Sequence, residues 1–203
     1  MTIPITSLQL EHIPRPHTVY ITLFKDVKNA TFLRDQLLAG NSEFEYAFID
    51  ANTIISKVHA LAAAHQAIHN LLVAGKLRTR NVHSETVFCL SPNNNITDAF
   101  KRFGILPTTT SLLCIKFSTL SAPVTLESIK SHLERSVEGT AVEFTDENLL
   151  QETVVDWAKV AKNYKIKSDN LNTQSLLNEK AIGGGLKSLE VEVLGKLVVR
   201  TTG

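Results

Sequence analysis

His65 and His69 stand one helical turn apart in HQAIH, the spacing at which two imidazoles on one helix face can share a metal ion. Zinc wants about four ligands, and HQAIH lacks the glutamate of the zinc-protease pattern. No cysteine pair or nearby carboxylate completes the set, so two histidines on a packed helix are the better reading. Ser91 and Cys89 have no base whose spacing would activate them as nucleophiles. AIGGGLK, 181–187, is a glycine run without the preceding strand that a phosphate loop requires. The expectation is a protein with no metal, no cofactor and no catalytic residue.

The remaining chemistry is polar and basic. GKLRTRNVHSE, 75–85, places Lys76, Arg78 and Arg80 in a loop after a helix, with Arg78 and Arg80 on one side if the loop is extended. LSPNNNITDAFKRFGI, 90–105, holds Asn93, Asn94 and Asn95 just ahead of Lys101 and Arg102. Asn95 is placed to cap a helix, with Asp98 near its positive end. Asn93 and Asn94 follow a predicted strand and are either turn residues or polar groups presented to something outside the chain. Plain alternatives exist for both stretches: solubility and favourable charge at a helix C-terminus for the loop, and a turn with a cap for the asparagines.

The chain has 203 residues, 43% of them hydrophobic, enough for one domain with a real core. Its 21 basic and 20 acidic residues nearly balance, but unevenly along the chain. Lys76 to Arg102 carries five basic residues against two acidic; Glu127 to Asp156 carries eight acidic against two basic. One region suits an anion and the other a cation or water. The N-terminus, broken by Pro4, Pro14 and Pro16, does not read as a signal peptide, and no apolar run is long enough to span a membrane. Cys89 and Cys114 sit in apolar runs, as buried thiols of a reducing compartment do, which points to cytosol or nucleus.

The elements that must position these residues alternate early in the chain. VYITLFK (19–25), YAFID (46–50), ETVFCL (85–90) and SLLCIKF (111–117) read as strands, with AVEF as a short one. Helices are predicted after Asn29, after Ser56 with a stripe of Val58, Leu61, His65, Ile68 and Leu72, after Asn95, and after Thr125. The stretch 145–166 reads as helical in two pieces. The fold class is α/β: a single layered domain with a mixed central sheet flanked by helices over 1–166. A polar, glycine-ended flexible linker follows at 167–185, then a C-terminal helix over 186–203 that packs back on the domain.

LFKDVKNA (23–30), GKLRTRNVHSE and LSPNNNITDAFKRFGI, in this order and spacing, resemble the kinase-binding small subunit of the KEOPS (EKC) complex, the PRPK-binding protein family. The resemblance is strong over 19–118, weaker to about 166 and present again in the last helix; 167–185 reads as a lineage insertion. It implies a non-enzymatic subunit that binds the N-lobe of an atypical small kinase acting as an ATPase, and through it the transferase subunit. It further implies a part in holding transfer RNA, especially the 3′ end, for threonylcarbamoyladenosine modification, a link to telomere maintenance, and residence in nucleus and cytoplasm. The RNA-binding set on this reading is Lys76, Arg78, Arg80, Asn93, Asn94, Lys101 and Arg102. The last helix carries two apolar rows, Leu189, Val193 and Leu197, and Val191, Leu194 and Val198. One stripe suffices for a helix on a core, so the second row suggests a partner, on the resemblance the kinase. A free-standing RNA-binding α/β domain is the alternative, and a small α/β enzyme with an unrecognised site a third reading. An exposed apolar stripe, a bare basic face, or a deep pocket with convergent titratable groups would separate the three.

Overall fold

The β-branched and aromatic run TVYITLFK forms strand β2 (Thr18–Lys25) in a computed structural model that describes residues 3–13, 17–151, 154–166 and 185–201. Strand β4 (Leu112–Ser118) pairs with β2 from Thr18 opposite Ser118 to Phe24 opposite Leu112. Strand β3 (Ala47–Asp50) lies beyond β4. Strands β1 (Thr6–Leu8) and β5 (Thr140–Val142) share the other edge of β2, β1 at Val19–Ile21 and β5 at Leu23–Lys25. The layered α/β architecture is as expected, but every pairing among the described strands is antiparallel, where a mixed sheet was expected. The reason is topological. Strand β2, helix α1 (Ala30–Leu38) and β3 run as a βαβ unit whose two strands are parallel, and β4 inserts between them in the opposite sense.

Both faces of the sheet are covered. Ile21, Leu23, Leu113, Ile115 and Phe117 point into one core, and Phe24, Phe48, Leu112 and Cys114 into a second. Helices α2 (Lys57–Leu72), α3 (Val82–Cys89), α7 (Trp157–Tyr164) and α8 (Gly185–Thr201) contribute to the first core. Helix α1 and helix α5 (Leu126–Ser136) contribute to the second. Helices α4 (Ile96–Phe103) and the single turn α6 (Asp146–Leu149) complete the described set.

Three local expectations are corrected. ETVFCL is not a strand: it lies in α3, which opens with the Asn81 side chain accepting the Ser84 N–H at 2.9 Å. This helix is buried at Val82, His83, Glu85, Thr86, Val87, Phe88 and Cys89, so its sequence shows no helical stripe. The buried face of α2 is His59, Ala60, Ala63, Ala64, Ala67 and Ile68; Val58 is half exposed. Alanines give this face its close approach to α3. Asn29 does not cap α1; its amide donates to Ser136 O (2.8 Å) and accepts from the Glu138 N–H (3.1 Å), tying α1 to the end of α5. Ser56 and Thr125 cap α2 and α5 as expected. The linker predicted over 167–185 lies outside the described residues except for Gly185, which opens α8.

A buried polar chain joins these layers. Tyr164 Oη donates to Leu90 O at 2.7 Å and meets His59 Nε2 at 2.8 Å, while His59 Nδ1 takes the Ile55 N–H at 3.4 Å. His83 Nε2 accepts the Phe117 N–H at 3.1 Å. Burial pulls both imidazoles down to about 3, with the Lys116 ammonium adding to the effect on His83. The folded protein therefore refuses protons that the unfolded chain binds near pH 6.5. This contribution to stability is complete above about pH 6.5 and is lost as the pH falls from there towards about 3. Each histidine adds a slope of up to about 1.4 kcal/mol per pH unit. Denaturant unfolding between about pH 7 and pH 4 should show the decline, and His83→Gln should remove about half of the slope that His59 and His83 supply.

Candidate functional site

The cations after α2 owe their placement to an acid. Glu85, in the first turn of α3, is completely buried. Its carboxylate accepts from Arg78 N (3.0 Å), Thr79 N (2.9 Å), Thr79 Oγ1 (2.8 Å) and Asn70 Nδ2 (3.0 Å). A carboxylate at a helix N-terminus that gathers so many donors needs no counter-cation. It fixes the loop backbone and leaves the Lys76, Arg78 and Arg80 side chains outside. Arg80 then lies over Gly40. A Cβ on that glycine would stand 3.0 Å from Arg80 Nη1, and its φ of +71° favours glycine as well.

Arg80 borders a cavity of about 440 Å³ between α1, the 40–46 loop, α3 and α4. Its floor is apolar, with Leu37, Phe48, Val87 and Phe100, and its rim carries Arg34, Arg80 and Lys101. None of these three cations has an acidic partner within ion-pair distance among the described residues. The acid in the lining, Glu45, accepts from Asn81 Nδ2 at 3.2 Å. Tyr46 also lines the cavity; its hydroxyl meets His132 Nδ1 at 3.1 Å, and the Lys116 ammonium stands 4.7 Å from its ring centre. Burial lowers the Lys116 pKa and raises that of Tyr46. The arrangement suits a ligand with a flat or apolar body and an anionic group at the rim.

The asparagine turn joins two helices, not a strand and a helix. Asn95 Oδ1 caps α4 through the Asp98 N–H at 3.0 Å. Asn93 is spent internally: its Oδ1 accepts the Asn95 N–H at 2.9 Å and its Nδ2 donates to Asp98 Oδ2 at 2.7 Å. Asn94 is exposed. Asp98 also pairs with Arg102 Nε at 2.8 Å, so the Asn93 hydrogen bond first, and then Arg102, holds its carboxyl below the usual range. Adjacent on α4, Lys101 and Arg102 point about 100° apart. Lys101 faces the first cavity, and Arg102 faces a second, wider one of about 530 Å³. That second cavity lies between the turn, the end of α7 and α8.

Helix α8 has two faces. Leu189, Val193 and Leu197 are buried in the first core, and Leu194 packs half-buried beside them. Val191 and Val198 are 69% and 62% exposed. Gly195 falls between them at helical spacing, and a Cβ there would meet nothing within 4 Å.

The kinase binding protein CGI-121 family matches residues 24–186. The chain belongs to this family. An EKC/KEOPS complex subunit cgi121 from Aspergillus terreus is 47% identical to it over 98% of both chains. That of Coccidioides immitis is 40% identical over 97% of both, and that of Schizosaccharomyces pombe 30% identical over 82% of this chain and 93% of its own.

Within this family member, the residues singled out in the sequence divide into three groups. Arg80 and Lys101 meet at one cavity. Arg102 and Asn93 border another, and Lys76, Arg78 and Asn94 border neither. Sequence reasoning missed Arg34, which reads as an ordinary cation of an amphipathic helix, and the part of Glu85, which reads only as the first residue of the ETVFCL strand. Asn93 was expected to be free for RNA and is instead a structural partner of Asp98. Asn95→Ala should cost about 1 kcal/mol through the lost cap, and Asn93→Ala a similar amount. Asn94→Ala should cost nothing measurable. Side-chain NMR titration should place the Asp98 pKa higher in Asn93→Ala than in the parent. The carboxylate's contribution, present above its unfolded pKa and lost as pH falls through the folded one, should then end at a higher pH.

Proposed function

We propose that the protein is a non-catalytic subunit of an EKC/KEOPS complex that docks a kinase through the outward face of α8 and holds transfer RNA at the cavity rimmed by Arg34, Arg80 and Lys101. The family is described as kinase binding, and its relatives carry the name of the complex. The observation that carries the reading is the division of α8. Its inward row is part of the core, and Val191, Gly195 and Val198 form an exposed apolar stripe on the other side. Glycine at the centre of the stripe lets a partner approach the helix backbone closely.

Transfer RNA enters through electrostatics. Three cations converge from α1, the loop before α3, and α4 on a cavity whose apolar floor suits the face of an unstacked base. The kinase brings the ATPase, and the transferase subunit reached through it carries out threonylcarbamoyladenosine synthesis. This subunit contributes positioning.

Charge substitutions test the docking face. Val191→Glu and Val198→Glu should melt like the parent and lose the kinase in co-purification, since a glutamate on an exposed position is costly only when the partner buries it. Leu189→Glu and Val193→Glu should destabilise the free subunit by several kcal/mol, because the charge falls inside the core. Kinase retention by both outward variants would overturn the docking assignment. For RNA, Arg80→Glu with Lys101→Glu should weaken binding of transfer RNA and lower its salt slope by about two units, while Lys76→Glu with Arg78→Glu does less. Equal effects from the two pairs in gel shifts at several salt concentrations would remove the cavity from the RNA site.

A further inference from the structure

The second cavity has no part in the RNA reading and opens on the docking face. Gly195 belongs both to the outward stripe of α8 and to the cavity lining, so the missing side chain is the cavity's mouth on that helix. Opposite it lie the C-terminus of α7 and the asparagine turn.

Two features of the lining call for an acceptor. Asn163 is 4% exposed and lines the cavity, and its Nδ2 has no hydrogen-bond acceptor among the described residues. A buried amide donor left unpaired carries a desolvation penalty, so a group arriving with an acceptor would relieve it. The charge agrees. Arg102, Lys165 and Lys196 line the cavity with Glu192 as the acid among the residues that line it. Glu192 is taken by Lys196 at 2.8 Å, and Asp98, outside the lining, by Arg102 Nε at 2.8 Å. Lys165 has no ion-pair partner among the described residues and ends α7 in a left-handed conformation, φ 51°, that glycine or asparagine would adopt more readily. Arg102 uses Nε for Asp98 and one terminal nitrogen, at 3.4 Å, for Asn163 O, and retains further donors.

Resting on the docking of the kinase along α8, we propose that this cavity receives an aspartate or glutamate side chain of the kinase. Its carboxylate accepts from Asn163 Nδ2 and is flanked by Lys165 and Arg102. A carboxylate fits on three counts. It supplies acceptors to the orphaned amide, it answers the surplus cation, and an acidic side chain passes beside a glycine where a bulkier helix residue would block it. The apolar stripe then supplies contact area and the cavity supplies register along the helix.

The test uses the full-length protein and its purified kinase partner, with titration calorimetry for kinase affinity and gel shift for transfer RNA. Asn163→Leu removes a donor that is unpaired in the free subunit, and Lys165→Gly relieves a left-handed lysine. Both should melt at or above the parent temperature. Both should weaken kinase binding about tenfold, and Lys165→Gly should reduce the salt dependence of that binding. Lys165→Glu should weaken it further. Replacing the responsible kinase acid with lysine should restore the affinity of Lys165→Glu and of no other variant. Parent-like kinase affinity in Asn163→Leu and Lys165→Gly, alongside its loss in Val191→Glu, would overturn the cavity assignment and leave the docking helix standing. Kinase binding by Val191→Glu and Val198→Glu as well would remove the docking reading itself. Weakened transfer RNA binding in the cavity variants with kinase affinity unchanged would overturn the proposal in favour of an RNA phosphate.

Discussion

The hydroxyl of Tyr164 carries one proton, and the structure needs it in one place. It donates to Leu90 O, at the end of α3, so His59 must carry its own proton on Nε2 and present a bare Nδ1 to the Ile55 N–H. One neutral tautomer therefore joins the start of α2, the end of α3 and the end of α7. Burial keeps the imidazole neutral, and a second proton would destroy the acceptor that Ile55 uses. Everything around the second cavity hangs from this chain. Leu90 leads directly into the asparagine turn, Asn163 and Lys165 flank the tyrosine, and Lys196 of α8 donates to Tyr164 O. Lys159, anchored to the buried Asp50, fixes the other side of α7 against the end of β3.

What the sequence made legible was what local chemistry decides. Ser56, Thr125 and Asn95 cap helices because a short polar side chain just ahead of an amphipathic run has one favourable use. Strands β2 and β4 were legible from β-branched and aromatic runs of the right length. Helix α3 was not, because a segment buried on every side shows no period, and ETVFCL suits a covered strand equally well. The antiparallel sheet was hidden for a different reason. The β2–α1–β3 alternation does make its two strands parallel, but only tertiary structure shows that β4 comes between them.

The site was half legible for related reasons. Neighbouring cations in sequence suggest a shared face, yet on a helix Lys101 and Arg102 serve different cavities. Cations from three separate elements, Arg34, Arg80 and Lys101, do converge, and no local pattern announces it. Glu85 shows the same limit from the other side. No sequence pattern announces that this glutamate is buried and holds loop backbone donors, so the loop's cations stay outside. Asn93 looked available because three asparagines exceed what a cap needs; the second one supports Asp98, which in turn orients Arg102.

Helix α8 makes stability and docking parts of one equilibrium. Leu189, Val193 and Leu197 supply a side of the first core, so undocking the helix would uncover apolar surface of that core, part of it on α2. A partner that grips the outward stripe binds only the docked helix, and by linkage it deepens that docked state by RT ln(1 + [L]/Kd). An apolar outer face is thus tolerable on a surface helix because the inner face already pays its ordering entropy before the partner arrives. The division of labour follows. On the proposed docking, the inner row sets where the helix lies, the glycine and valines of the outer row would meet the partner, and Lys165 at the end of α7 with Arg102 of α4 would fix the register.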